Sequence, residues 1–237
     1  MTLISDIEGI IESGIYTNSS PEGGPWVQKF EKKLTDHLGK PTVCVNSGTS
    51  ALMASYVLCF ISHFSSVCLP AYGFIATARS LLQLQPHTYF ADVKEDGLID
   101  INTIPKDMNC VVITDLYGEI ADYPKINCPV IEDACQALHT IRKIRADYTC
   151  FSFYPTKIVG AMEGGAITFQ TDEEAERARR LRTYPDGINI RMGEINACIG
   201  CHNFHKLKEP YEQPRPRYNY TLSPRGLCPV ADKLAYG

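Results

Sequence analysis

Seven short apolar runs, separated by segments with helical periodicity, constrain the fold of this chain most strongly. The runs occupy residues 42–45, 67–70, 88–91, 111–114, 130–131, 148–153 and 165–169. Continuous apolar runs of this length are typical of strands buried on both faces, and the segments between them supply helices to cover those faces. The sequence therefore predicts an α/β fold, with a mostly parallel central sheet flanked by helices. Such sheets bind ligands outside the carboxyl ends of their strands.

Charge and hydropathy restrict the partners of this chain. Its 237 residues suffice for one large domain, and 23 basic against 27 acidic side chains give a net charge of −4. This charge provides no basic field for nucleic acid or an anionic membrane surface. The sequence shows no export signal and no stretch apolar enough to cross a bilayer. We therefore expect a cytoplasmic protein that binds small molecules, not nucleic acid or membranes.

Ten cysteines raise the question of disulfides or a metal site. Without an export signal, most should be reduced and buried as small apolar residues. The stretch containing Cys198, Cys201, His202 and His205 has the form of a haem-attachment or zinc-binding sequence. Haem attachment belongs to exported chains, and no second pair of ligands is obvious. We interpret the stretch as a helix with cysteines on its apolar side, and predict no metal site.

A polar motif directly follows the first predicted strand. Residues 46–49 read Asn-Ser-Gly-Thr and lead into a predicted helix. A tight turn from a strand into a helix presents free backbone N–H groups and the positive end of the helix dipole, which suits a phosphate. Gly48 would let the ligand approach the backbone closely. The alternative is a simple turn in which Ser and Thr cap the helix.

Lys157 is the candidate nucleophile. It follows the run Phe-Ser-Phe-Tyr-Pro-Thr, in a loop that ends at the paired glycines Gly164 and Gly165. A lysine amine forms a Schiff base with a carbonyl only when it is neutral, which partial burial or a nearby positive charge favours. The alternative is an ordinary surface lysine. The other two polar stretches, residues 46–52 and 130–138, favour the functional interpretation.

Taken in order, these three stretches resemble the DegT/DnrJ/EryC1/StrS family of pyridoxal-phosphate-dependent sugar aminotransferases, and the likeness covers about residues 15–205. The resemblance implies the large domain of a fold type I aminotransferase over residues 1–205, with a reduced C-terminal tail over residues 206–237. The chain departs from the family pattern in two places. His139 stands where glycine is usual, and the acidic residue often found ahead of the strand at Val67 is absent.

The resemblance also implies pyridoxal 5'-phosphate as cofactor and a role for each of several residues. Lys157 would form the Schiff base, and Asp133 would pair with the pyridine nitrogen, although Asp133 could instead be a helix N-cap. Gln136 would reach the phenolic oxygen, and the ring of Phe74 would stack on the pyridine. The phosphate would be held by Gly48, Thr49 and Ser152, with Asn189 supplied by the other chain of a homodimer.

The implied activity is transfer of an amino group from an amino acid, glutamate, to a keto sugar carried on a nucleotide. Two alternatives remain open. A sugar dehydratase on the same scaffold would carry histidine in place of the Schiff-base lysine, whereas this chain has Lys157. A non-catalytic relative that keeps the fold for binding or assembly would account for the short C-terminal segment.

Overall fold

A seven-stranded mixed sheet forms the centre of the protein. The computed structural model describes residues 2–141, 143–185 and 187–208, and the backbone of residues 220–223 and 226–229. The strands are β1 (Thr42–Val45), β2 (Ser66–Pro70), β3 (His87–Ala91), β4 (Cys110–Thr114), β5 (Val130–Asp133), β6 (Tyr148–Ser152) and β7 (Gly165–Phe169). Their spatial order is β1-β7-β6-β5-β4-β2-β3. Strands β2 to β6 pair in parallel, while β7 runs antiparallel to both β1 and β6.

Helices cover both faces of this sheet. They are α1 (Leu3–Ser13), α2 (Pro25–Leu38), α3 (Gly48–Leu58), α4 (Ile75–Arg79), α5 (Asp172–Leu181) and α6 (Glu194–Asn203), with short 3-10 turns at Ile101–Thr103, Leu116–Gly118 and Phe204–Lys208. Pro25 is the first residue of α2, where its lack of an N–H removes no hydrogen bond within the helix. Gly39 ends the helix in the left-handed conformation, with φ 70°. Thr171 caps α5 by accepting a hydrogen bond from the N–H of Glu174.

Apolar clusters pack on both faces of the sheet, one on one face and two on the other. Alternate side chains of β1 illustrate the division: Val43 and Val45 pack in the cluster that includes α3 and α5, whereas Cys44 packs in the cluster that includes α2. The second cluster also contains Phe30 of α2 and Phe153, whose rings meet edge to face at 4.8 Å. Burial on both faces explains why the strands read as continuous apolar runs.

The predicted fold class is confirmed, and two details differ from the prediction. The sequence after Thr77 predicts a helix reaching about residue 84, whereas α4 ends at Arg79. The N–H groups of Leu81, Leu82 and Leu84 bond carbonyls three residues back and form successive turns instead. The antiparallel direction of β7 was not anticipated, since an apolar run does not encode strand direction.

The C-terminal segment contains one antiparallel pair of strands, β8 (Tyr220–Ser223) and β9 (Gly226–Pro229), inside the range predicted as an extended tail. Residues 209–219, 224–225 and 230–237 lie outside the described residues, so the division at residue 205 stays a prediction. Among the described helices, none combines the length and the apolar character that crossing a bilayer requires.

Candidate active site

A cavity of about 440 Å³ opens at the carboxyl ends of the strands. Its walls come from the residues that follow β1, β2, β4, β5 and β6, where ligands of parallel sheets bind. Seven of the eight residues predicted from the sequence line this one cavity: Gly48, Thr49, Phe74, Asp133, Gln136, Ser152 and Lys157. Asn189 does not line it, and its side chain is exposed on the segment between α5 and α6.

The first turn of α3 forms one wall. Ser47 caps the helix by accepting a hydrogen bond from the N–H of Ser50 at 3.1 Å. The N–H groups of the first helical turn have no acceptor within the helix, so Gly48 and Thr49 can present donors to a ligand. A Cβ on Gly48 would lie 2.8 Å from Cβ of Ser152 and 2.9 Å from Sγ of Cys135. Glycine is therefore required for α3 to start this close to the ends of β5 and β6.

Asp133 ends β5 and provides a buried anionic side chain of the cavity. It is 4% exposed, and its Oδ2 accepts a hydrogen bond of 2.6 Å from the hydroxyl of Thr77. Its Oδ1 accepts a second one, of 3.3 Å, from the N–H of Cys135. Donors to both oxygens stabilise negative charge and fix the carboxylate in place. Turns occupy residues 135–140, and the described residues between β5 and β6 form no helix, so the alternative of a helix N-cap at Asp133 is wrong.

Gln136 has one end of its amide fixed. Its Oε1 accepts a hydrogen bond of 2.7 Å from the N–H of Tyr117, which has a left-handed backbone conformation with φ 57°. With the oxygen engaged in this way, the amide nitrogen is the group that Gln136 offers to the cavity. A donor at this point suits a ligand oxygen that carries negative charge.

Lys157 lies in the turn that follows β6 and is half-buried. The N–H of Lys157 donates to the carbonyl of Tyr154 at 2.8 Å, and the N–H of Ala161 donates to the carbonyl of Phe153 at 2.8 Å. These backbone bonds hold the turn compact and direct its residues to the cavity, which Tyr154 and Thr156 also line. Phe74, 63% exposed, lies at the rim on the residue before α4.

Thr114 and Asp115 are among the polar cavity residues that the sequence did not predict. Thr114 ends β4 and Asp115 follows it, and the position of this pair at a strand's carboxyl end was the signal that could have identified it. Asp115 is 0% exposed; its Oδ1 accepts a 2.9 Å hydrogen bond from the N–H of Ala121. Within the described part of the chain, Thr114 Oγ1 is buried without a hydrogen-bond partner, whereas the carboxyl of Asp115 also interacts with that of Glu132. An unpartnered buried hydroxyl is typical of a site that receives a polar ligand.

The electrostatic environment of Asp115 is unusual. Burial, reinforced by the neighbouring carboxylate of Glu132, raises the pKa of Asp115 to about 8. Burial also raises the pKa of Glu132, against the opposing effects of Thr149 and Arg145, which donate hydrogen bonds to it. Asp115 therefore enters the cavity as a neutral carboxylic acid at pH 7, beside the carboxylate of Asp133.

Comparison with known proteins identifies relatives of one kind. The model of the DegT/DnrJ/EryC1/StrS aminotransferase family matches residues 3–223. The UDP-4-amino-4,6-dideoxy-N-acetyl-beta-L-altrosamine transaminase of Campylobacter jejuni serotype O:2 is 27% identical over 231 residues, covering 84% of this chain and 61% of that protein. The dTDP-4-amino-4,6-dideoxy-D-glucose transaminase of Shigella dysenteriae is 31% identical over 223 residues, with coverages of 82% and 59%.

Among solved structures, S. venezuelae DesV superposes with a TM-score of 0.78 at 26% identity. The superposition covers 87% of this chain and 62% of that one. The chain thus spans about three fifths of the length of each of these relatives.

Proposed function

The chain belongs to the DegT/DnrJ/EryC1/StrS aminotransferase family, and from that premise we propose that it is a pyridoxal-phosphate-dependent aminotransferase. It transfers an amino group from an amino acid, glutamate, to a keto sugar linked to a nucleotide, in the cytoplasm. The substrate class is supported by the relatives, which are named as transaminases of UDP- and dTDP-linked sugars.

One observation carries the proposal: a lysine, a buried carboxylate and a helix N-terminus, from three distant parts of the sequence, line the same cavity. The residues fit pyridoxal phosphate. The start of α3 offers N–H donors for a phosphate, and Asp133 offers a fixed anion for a protonated ring nitrogen. The unpartnered, buried Thr114 Oγ1 supports the proposal that the cavity receives a polar molecule.

In this proposal, the chain binds and orients the cofactor through contacts at its ends and faces. Gly48, Thr49 and Ser152 hold the phosphate, and Asp133 keeps the ring nitrogen protonated. Gln136 donates to the phenolic oxygen, and Phe74 covers one face of the ring. Pyridoxal phosphate bound there supplies an electron sink that makes the α-proton of an amino acid acidic.

Lys157 has two tasks. Its Nζ would hold the cofactor covalently between turnovers. As a free amine during turnover, it would take the proton from the α-carbon of the donor, and in the second half of the cycle it would return a proton to the sugar carbon that receives nitrogen. Because histidine cannot attach the cofactor in this way, the retained Lys157 favours amino transfer over sugar dehydration.

The site is completed by a second copy of the chain. The exposure of Asn189, outside the cavity of its own chain, is compatible with a contact across an interface. In a two-fold dimer each chain would lend its Asn189 to the phosphate site of the other.

Absorbance spectroscopy of the purified chain tests the proposed function. With pyridoxal phosphate, wild type should show the visible band of a covalently attached cofactor, and glutamate should bleach it. Borohydride reduction followed by peptide mass spectrometry should locate the cofactor on Lys157. The Lys157→Ala variant should form no adduct, whereas Lys125→Ala, on a loop away from the cavity, should behave as wild type. Attachment at another lysine, or a spectrum indifferent to glutamate, would contradict the proposal.

A further inference from the structure

Three side chains with metal-binding atoms meet where α1 lies against α6. Asp6 comes from α1, and Cys198 and His202 come from α6. A carboxylate oxygen, the thiol sulfur and an imidazole nitrogen all lie within 4.8 Å of one another. None of the three residues lines the cavity described above.

The arrangement follows from helix geometry. Cys198 and His202 are four residues apart on one helix, so their side chains project from the same face. Asp6, 196 positions before His202, approaches that face from α1, with its Oδ2 2.7 Å from Nε2 of His202. Cys198 is buried, while the side chains of His202 and Asp6 are 28% and 10% exposed. The cluster is therefore partly enclosed and still open to an ion from solvent.

We propose that Asp6, Cys198 and His202 bind a zinc ion, with water as the fourth ligand, and that the ion fastens α1 to α6. Thiolate, imidazole and carboxylate are the ligand types that zinc takes in proteins. A thiolate disfavours magnesium and calcium, which prefer oxygen ligands. The carboxylate and the thiolate together balance the two positive charges of the ion, which limits the cost of placing it in a partly buried site.

The cluster needs only a small adjustment to receive the ion. Bonds of about 2.0 to 2.3 Å in a tetrahedral arrangement place ligand atoms about 3.3 to 3.8 Å apart. The ion would separate the directly bonded Asp6 and His202 and draw the thiol of Cys198 closer, both by about 1 Å. It would also have to displace the proton of the Cys198 thiol, whose pKa burial and the Asp6 carboxylate raise to about 11, with the charge of Lys29 opposing.

The sequence reasoning dismissed zinc here because Cys198 and His202 lacked a partner ligand. The fold supplies that partner, Asp6, from the other end of the chain. In the competing interpretation, Asp6 and His202 form an ion pair that holds the two helices without help, and Cys198 only fills space.

Metal titration distinguishes the two interpretations. The full chain, freed of metal by a chelator and kept reduced, is titrated with Co²⁺, and Zn²⁺ affinity is measured by competition with a chromophoric chelator. We expect one Co²⁺ per chain, with the near-ultraviolet band of a thiolate bound to cobalt. Mutating a residue that only orients a metal ligand typically lowers metal affinity by about 10- to 100-fold. Cys198→Ala removes a ligand itself, so it should lower zinc affinity by at least that factor and abolish the band.

The matched control is Cys201→Ala. Cys201 is also buried on α6 but belongs to the core packed against α2, so this variant should keep the band and the affinity. His202→Gln, which leaves both thiols in place, should also weaken zinc binding while the circular dichroism stays that of wild type. An absent cobalt–thiolate band in wild type, or a band that persists in Cys198→Ala, would overturn the site.

Hydrogen exchange tests the fastening role. Zinc should slow amide exchange across Leu3–Ser13 in wild type and in Cys201→Ala, but not in Cys198→Ala. Exchange in α1 that does not respond to zinc in wild type would refute the role of the ion in holding the helices together.

Discussion

Asp133 is the residue on which the proposed chemistry depends most directly, because it supplies a fixed negative charge in the cavity. In Asp133→Asn, a neutral amide would be unable to keep a ring nitrogen protonated. We expect the variant to fold and to retain its thermal midpoint within a few degrees. We expect its single-turnover rate with glutamate to fall by about 100-fold or more, the usual effect of losing one preorganised electrostatic contact.

Stopped-flow absorbance measures this rate directly. Asp122→Asn, at an exposed aspartate that pairs with Lys94, is the control and should react as wild type. A rate for Asp133→Asn within a few-fold of wild type would remove Asp133 from its proposed role.

Asp115 should make folding stability depend on pH. Its pKa is raised to about 8, so its favourable contribution is complete at acidic pH and is lost as pH rises towards 8. Asp115→Asn removes this loss while keeping an oxygen for the N–H of Ala121. The difference in free energy of unfolding, variant minus wild type, should therefore increase between pH 5 and pH 8. The increase is at most about 1.4 kcal/mol for each pH unit over which folding suppresses the ionisation of Asp115.

Urea unfolding at pH 5 and pH 8 checks this expectation. In the control Asp122→Asn, the hydrogen bond from Lys94 lowers the pKa of the wild-type carboxyl. Its stabilising contribution is already complete above about pH 4, so the difference from wild type should be the same at both pH values. A flat difference for Asp115→Asn as well would show that Asp115 ionises normally.

At this scale, sequence predicted residues whose chemistry depends on a local motif. Asp133 ends a strand, and Gly48 and Lys157 lie in the turns that follow strands, so each could be placed near a carboxyl end. Asp115 was missed because its character comes from burial beside Glu132, a neighbour in space on the next strand. The role of Asn189 stays a prediction, since one chain does not contain the proposed interface.

Between elements, a buried ion pair ties α5 to α2 and β1. Arg182, at the end of α5, is 1% exposed and donates to the carboxylate of Glu31 on α2. It also donates to the carbonyls of Cys44 and Pro21, at 2.8 and 2.7 Å. Glu31 in turn accepts from the N–H of Cys44 at 2.8 Å. These contacts satisfy both charges inside the protein, as burial demands.

Arg182→Met should therefore lower the free energy of unfolding by about 3 to 5 kcal/mol, the usual cost of leaving one buried partner uncompensated. Burial already raises the pKa of Glu31, and Arg182 opposes that shift. The loss should accordingly be smaller at pH 5, where the stranded carboxylate can take up a proton.

Denaturant melts of Arg182→Met and Arg180→Met provide the comparison. Arg180 lies two residues earlier and makes an exposed pair with Glu176, so its replacement should change stability by less than about 0.5 kcal/mol. Equal effects of the two variants would mean that the buried pair contributes no more than a surface one.

Element boundaries were predictable where apolar character alone decides them. The predicted ranges of β1 and β7 agree with the structure at both ends, because proline, glycine or a polar residue bounds each run. Helix α4 was overestimated, because successive turns compete with the α-helical pattern after Arg79 and nothing in the local composition distinguishes them. Strand direction in β7 depends on the path of the chain through the Lys157 turn, which is a tertiary property.

On the scale of the whole molecule, the proposed dimer can be tested through cofactor retention. Asn189→Ala should weaken retention by about 1 to 3 kcal/mol, the scale of a lost hydrogen bond to a charged group. Asn102→Ala, on an exposed 3-10 turn, is the control. Equilibrium dialysis measures retention, and sedimentation should report a dimer for wild type. A monomer that retains the cofactor as tightly would contradict the arrangement.

The antiparallel strand β7 has a consequence for the order of folding. In the seven-stranded sheet β1 is an edge strand whose neighbour is β7, and the hydroxyls of Thr42 and Thr168 meet at 2.9 Å across 126 positions of sequence. During synthesis on the ribosome, β1 is the first strand of this sheet to be made, and it cannot pair until β7, the last one, has been made. Closing so long a loop is entropically costly, so this pairing should be late and slow. The start of α3 is positioned by β1, and its close contact with Gly165 at the start of β7 completes the cavity wall. A nascent chain therefore acquires its proposed phosphate-binding wall only after residue 169 has emerged, and ligand binding can report that the sheet has closed.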